Sequence, residues 1–168
     1  MQIGNWLKRG AMTCALAMVL LPALAADEIS PLPDLDACIA AALKERPGVL
    51  FGWKETGVGA YQVSVIAADG KIADAPCSGS APAGLQFENR LGLRRFEPYE
   101  RIQVPEASAR ATASLIFSGR VRYTQMEIDT DVRGGLSYEY RMELQSGHHV
   151  LARVDTVSGL LVYAEVQE

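Results

Sequence analysis

Histidine is nearly absent from this chain of 168 residues: His148 and His149 are the only two, and they are adjacent. Neighbours on a strand point to opposite faces, so the pair cannot chelate one metal ion in regular geometry, and two surface side chains beside a turn are expected instead. The sequence also lacks a Gly-x-Ser-x-Gly nucleophile elbow, a phosphate-cradling glycine loop, and any Ser, His and Asp set whose spacing supports a triad. No catalytic residue, cofactor or metal site is expected, and the chain reads as a protein that is not an enzyme. Asp129-Thr130-Asp131 followed by Gly134-Gly135 has the outline of a calcium loop, yet Arg133 stands where a ligand belongs and Tyr140 where the closing Glu belongs. A solvated hairpin tip is the better account.

Long apolar runs are missing too. The longest, Ala11 to Leu21, spans eleven residues, well short of the roughly 20 that a membrane-crossing helix needs. Lys8 and Arg9 precede it, and Pro22-Ala23-Leu24-Ala25-Ala26 follows with small residues at 23 and 25, so residues 1–25 read as a secretory signal peptide. Cys14 lies before the apolar run has ended and lacks a Leu-x-x-Cys approach, which argues against lipid attachment there. The expected product starts near Ala26, is periplasmic and carries no membrane span. Basic charge is in deficit, with 16 Lys and Arg against 20 Asp and Glu; loss of Lys8 and Arg9 with the leader leaves 14 against 20, a net charge of −6. That balance argues against nucleic acid as a partner. Of three cysteines, Cys38 and Cys77 remain after the leader. In an oxidising compartment they are expected to be bonded, which stabilises by roughly 4 kcal/mol in the chain-entropy model. The spacing is not Cys-x-x-Cys and no His is near, so a redox or metal-binding pair is poorly supported.

What is present is periodicity. Leu35, Cys38, Ile39, Ala42 and Leu43 recur at helical spacing, with Asp34 as N-cap, Asp36 in the first turn, Lys44 and Arg46 at the end, and Pro47-Gly48 as the stop, predicting a helix from Asp34 to about Arg46. Such a helix is too short to be stable unless its apolar face is covered. Val49 to Trp53, Ala60 to Ala67 and, after the hairpin signal Asp69-Gly70, Lys71 to Ala75 read as strands. Phe51 and Trp53 are expected on one strand face as core beneath the helix. Residues 85–102 read as a linker or edge strand. Their arginines either pair with acidic surface elsewhere or form a partner-docking strip, Arg94 and Arg95 with Phe96 and Tyr99 as anchors. Beyond it, Val104, Ala107, Ala111 and Leu115 predict a second helix with Pro105 in its first position. Strands follow at Val121 to Ile128, with a break near Gln125 that suggests a bulge, at Tyr138 to Gln145, at His149 to Val154 and at Leu160 to Val166.

The two halves align. Leu35, Cys38 and Ala42 correspond to Val104, Ala107 and Ala111, Gly48 to Gly119, and Tyr61 and Gly70 to Tyr138 and Gly147, with the offset growing only at a helix end and a hairpin tip. A helix with a small residue mid-face, a Pro-Gly or Ser-Gly stop, an alternating strand with an aromatic start, a Gly turn and Val-Asp-x-x-Ser/Thr-Gly resembles the PepSY domain, a family named from peptidase propeptides. The best match is Val154, Asp155, Ser158 and Gly159; the first half departs after Ile72, where Cys77 and Gly79 replace the Val-Asp turn. Asp155 itself reads as a turn-former that accepts backbone N–H groups. The expected fold is α+β, two tandem units at 26–84 and 103–168 joined by 85–102, each one helix packed on a three- to four-stranded antiparallel sheet. The resemblance implies a non-catalytic protein-binding module that restrains a peptidase or modulates an envelope sensor, its partner an envelope protein. A small-ligand or metal-binding carrier using the cleft between units is the alternative.

Overall fold

A computed structural model describes residues 32–79, 82–115, 117, 121–130 and 135–167; the signal-peptide expectation for residues 1–25 lies outside them. Helix α1 (Pro33–Glu45) is followed by strands β1 (Val49–Gly57), β2 (Ala60–Ile66), β3 (Lys71–Ser78) and β4 (Glu88–Leu93). A 3-10 turn (Tyr99–Arg101) leads to helix α2 (Glu106–Ser114) and strands β5 (Val121–Thr130), β6 (Leu136–Leu144), β7 (His149–Asp155) and β8 (Leu161–Gln167). No helix among the described residues is long and apolar enough to cross a membrane.

All eight strands form one antiparallel sheet in the order β4-β3-β2-β1-β5-β6-β7-β8. This overturns the expected pair of small sheets, each under its own helix: the molecule is mostly β, with both helices on a single continuous sheet. The join is the pairing of β1 with β5 at Gly52↔Glu127, Trp53↔Met126 and Lys54↔Gln125. Gly52 is what permits it, because a Cβ there would stand 2.6 Å from the Met126 carbonyl oxygen. A side chain would push the two strands apart and leave two bare edges.

Register places one buried row, Ala75, Val63, Trp53, Met126, Tyr140 and Ala152, across six consecutive strands. Both helices lie over it. The opposite face is polar, and there Arg153 pairs with Glu139 at 2.6 Å while Arg90 from the edge strand β4 reaches Asp74 at 2.7 Å and Glu127 at 3.7 Å. Two bulges adjust the central strands near the join, and a third lies at the hairpin end of β1, between Glu55 and Gly57. The one in β5 sits between Tyr123 and Gln125, where the alternation breaks, and the one in β1 inserts Phe51 between Leu50 and Gly52. The second separates Phe51 from Trp53: the Phe51 ring packs on Tyr99 beneath Arg90 and Arg94, whereas Trp53 packs edge-on against Tyr61.

Helix α1 buries Leu35, Cys38 and Ala42 and is tied to β3 by the Cys38–Cys77 disulfide, with Cα atoms 5.8 Å apart. It starts one residue earlier than expected. Leu32 occupies the N-cap without a side-chain bond, Pro33 takes the first turn, and Asp34 and Asp36 supply negative charge there. In α2 the expected stripe is the wrong one. The buried residues are Glu106, Ala109, Arg110, Ala113 and Ser114, Pro105 is the N-cap, and Leu115 is 74% exposed. The stripe of small residues lets the helix approach the sheet, and the polar residues on that side find partners inside.

Two outcomes test this architecture. Gly52→Ala is expected to lower the unfolding free energy by about 1–3 kcal/mol through overpacking at the β1–β5 join, read from the urea midpoint. Replacing Cys38 and Cys77 together by Ala is expected to cost roughly 4 kcal/mol by the loop-closure argument, read the same way; an unchanged midpoint would show that the cross-link does not constrain the unfolded chain.

Candidate functional site

The buried side of α2 carries an acid and a base one helical turn apart. Trp53 Nε1 donates to Glu106 Oε1 at 3.2 Å, Arg110 Nη2 lies 3.5 Å from Glu106 Oε2, and the same Nη2 donates to Asp36 Oδ1 of α1 at 2.6 Å. Burial pushes the Glu106 carboxyl above its usual range, against the pull of Arg110 and the Trp53 hydrogen bond. Arg110 is held charged by Glu106 and Asp36, whose attraction outweighs its own burial.

Three tyrosines of β5 and β6 fix α2 and the residues leading into it from below. Tyr138 Oη donates to the Val104 carbonyl at 2.7 Å, Tyr140 Oη to the Glu106 carbonyl at 3.1 Å, and Tyr123 Oη to the Arg110 carbonyl at 2.6 Å. Burial raises all three, Tyr123 to about 12, so they remain protonated donors at any physiological pH.

The Val154-Asp155-Thr156-Val157-Ser158-Gly159 turn holds the approach to α2. Asp155 Oδ1 accepts from the Ser158 backbone N–H at 2.6 Å, the Ser158 hydroxyl at 2.6 Å and the Val157 N–H at 3.2 Å. Gly159 has φ 70°, and a Cβ there would meet the Val104 side chain at 3.4 Å. Thr156 is buried, and its carbonyl accepts the N–H groups of Gln103 and Val104, both at 3.0 Å. Asp155 therefore forms the turn, and the turn docks residues 103–104.

Between α1 and the segment 99–107 this leaves a groove of about 720 Å³. Its walls are apolar, with Ile39, Leu43, Val49, Ile102, Val104 and Pro105 prominent, and Asp36, Glu100 and Glu106 are its only charged lining residues. Along α1 it follows Asp36, Ile39, Ala40 and Leu43, the i, i+3, i+4, i+7 stripe that covers about 10 Å of helix length.

The structure treats the residues singled out above unevenly. Val154, Asp155, Ser158 and Gly159 come together in one turn, beside the groove-lining residues Gln103 and Val104. Of the strip, Tyr99 and Arg94 meet on the Phe51 ring, at 5.9 and 5.4 Å, with Tyr99 buried there, while Phe96 is half-buried and Arg95 is exposed. Tyr99 is thus mostly core, and what it leaves accessible forms part of the groove wall and not of an exposed strip. His148 and His149 are exposed at the β6–β7 hairpin, and residues 131–134 of the Asp129–Gly135 segment lie outside the described residues. Among the described residues no three His, Cys, Asp or Glu side chains group as metal ligands. Glu106, Arg110 and Asp36 were not anticipated. Their signal is the competing stripe Ala109 and Ala113, which carries Glu106 and Arg110 inward with it.

No protein-family model and no curated protein matches the chain. Among solved structures, a protein of Clostridium difficile assigned as a lipoprotein is similar at 15% identity and a TM-score of 0.51, covering 84% of this chain and 99% of that one. The likeness shows a shared fold. The C-terminal domain of YpeB from Bacillus megaterium aligns over 82% of this chain and 66% of that one at 9% identity, with a TM-score of 0.32.

Arg110→Ala strands the Glu106 carboxylate in the interior and is expected to cost about 3–5 kcal/mol, whereas Asp36→Asn, on a half-exposed side chain, is expected to cost under about 1 kcal/mol; urea titration of both reads the difference. The raised Glu106 carboxyl also fixes a pH dependence. The folded state binds that proton more tightly than the unfolded chain, so the contribution is full below the unfolded value and is lost as pH rises through the folded one. The stability of the native protein minus that of Glu106→Gln is therefore expected to fall as pH rises from about 4, measured by thermal unfolding at a series of pH values.

Proposed function

We propose that this protein is a non-catalytic, extracytoplasmic binding module of the PepSY kind, which takes an apolar segment of an envelope protein into the groove between its helices. The observation that carries the reading is the groove itself: about 720 Å³ of apolar-walled space running along two turns of α1. An elongated occupant with apolar side chains at helical spacing suits such a stripe. The polar groups nearest to it are engaged in holding the fold, Glu106 by Trp53 and Arg110 and Tyr138 by the Val104 carbonyl, and this favours binding over turnover. The Cys38–Cys77 bond and the likeness to a protein assigned as a lipoprotein support an oxidising, extracytoplasmic setting. Val154, Asp155, Ser158 and Gly159, forming the turn that the PepSY resemblance implies, support the family reading. Restraint of a peptidase or modulation of a sensor follows from that resemblance.

The size of the groove favours one second reading. About 720 Å³ also falls in the range of small-molecule sites, and an apolar metabolite carried there would raise the melting temperature by mass action. A photo-cross-linker at Ala40, in the groove, is expected to trap a defined envelope protein in living cells, and one at Gln125, on the opposite face, is expected not to. Adding Leu43→Lys is expected to weaken the cross-link at least tenfold. Equal trapping from both positions removes the groove as the site, and a melting shift with an apolar metabolite together with no protein cross-link favours the carrier.

A further inference from the structure

The two edges of the sheet are built differently. Strand β4 is interrupted: its register with β3 shifts between Lys71 and Ala73, Gly92 sits at φ 102°, and Glu88 and Arg90 place charge along it. Irregular backbone and charge of this kind block a further strand. Strand β8 has no such protection over most of its length. It pairs with β7 from His149↔Gln167 to Arg153↔Tyr163 without a break, the single shift lying near its start at Val154↔Leu161. It contains neither Gly nor Pro, Glu165 is its only charged residue, and Tyr163 and Val166 are 41% and 50% exposed. A long, regular, weakly charged edge is a template for strand addition.

We infer that β8 is a self-association edge, and that two copies of this chain pair β8 against β8 antiparallel, about a twofold axis through Ala164. The residue pattern selects both the partner and the register. A parallel addition, or an antiparallel one centred on Glu165, would set Glu165 against its own copy, a like-charge pairing that destabilises a sheet. Centring on Ala164 places Glu165 opposite Tyr163 of the second copy and Val166 opposite Val162. Tyr163 already donates to Glu165 within the strand, and Arg153 lies 5.9 Å over the Tyr163 ring. Across the axis the same three side chains meet again, so an aromatic ring and a cation face the only charge on the edge. Small Ala164 sits at the centre, where two identical side chains face each other across the axis. The contact is isologous, and it closes at two copies because β8 is used up in forming it.

Sedimentation of the purified protein over a concentration series is expected to show conversion of monomer to dimer. Val166→Lys is expected to abolish the dimer while keeping the melting temperature that the parent shows when diluted to monomer, and Leu91→Lys on the β4 edge is expected to leave dimerisation unchanged. Ala164→Cys is expected to cross-link to its own copy under mild oxidation, because facing Cα atoms in an antiparallel pair are about 4.5–5.5 Å apart, within disulfide reach. A protein that stays monomeric up to millimolar concentration overturns the inference. So does a dimer that survives Val166→Lys, one lost with Leu91→Lys, or one in which Ala164→Cys fails to cross-link; should Val166→Lys not fold, the Ala164→Cys result decides.

Discussion

The close approach of β1 to β5 at Gly52 is the contact on which the rest of the molecule depends. Only three residue pairs make the join, yet side-chain ties cross it on both faces. Trp53 of β1 reaches Glu106 of α2, Arg110 of α2 reaches Asp36 of α1 at 2.6 Å, Arg122 of β5 reaches Glu55 of β1 at 2.8 Å, and Arg90 of β4 reaches Glu127 of β5 at 3.7 Å. The exposed pairs among these contribute little singly. Their joint effect is orientation: with the strands paired and the helices tied, α1 and α2 must lie side by side on one face. The groove exists because of that arrangement.

The buried Glu106–Arg110 pair governs the rotation of α2. Ion pairs of this kind are often no more stabilising than a well-packed apolar replacement, since desolvation offsets most of the attraction. Removing either partner is costly all the same, so the pair constrains which side of the helix faces the sheet. With Glu106 and Arg110 inward, Ala107 lines the groove and Leu115 is left exposed. Rotating α2 to bury Leu115 would strand two charges. The helix thus gives up an apolar contact to satisfy a polar network, and the groove's far wall is set by that choice.

Much of this was legible in the chain. Alternation and turn residues place nearly every strand, the Gln125 irregularity is a bulge, residues 85–102 supply an edge strand, Cys38 and Cys77 are joined, and Asp155 forms its turn. The misses share a cause, which is dependence on partners remote in sequence. Nothing local to Gly52 signals the join between the halves, and only the Met126 carbonyl opposite explains the glycine. The stripe Val104, Ala107, Ala111 and Leu115 is the more apolar face of α2, and it loses because Trp53, 53 residues from Glu106, offers that acid a hydrogen bond. Tyr99 looks like an exposed anchor among arginines until Phe51, displaced by a bulge, gives it a core partner. Local periodicity carries no information about any of these, and the groove, a product of all three, was not visible without the fold.

Each wall of the groove is fixed by a bond that does not involve an occupant. The disulfide ties α1 to β3, Tyr138 and Tyr140 hold the backbone at Val104 and Glu106, and the Thr156 carbonyl takes the N–H groups of Gln103 and Val104. An occupant of the kind proposed would therefore meet a surface already in place and lose little free energy to ordering it, which is the condition under which an apolar stripe of modest length binds with useful affinity. The turn at Asp155 belongs to this machinery. It lies at the end of β7, remote from any chemistry, and its three accepted hydrogen bonds position the Thr156 carbonyl. In this reading Val154, Asp155, Ser158 and Gly159 act on the groove without touching what fills it, by holding the strap from Ile102 to Val104 that forms its rim.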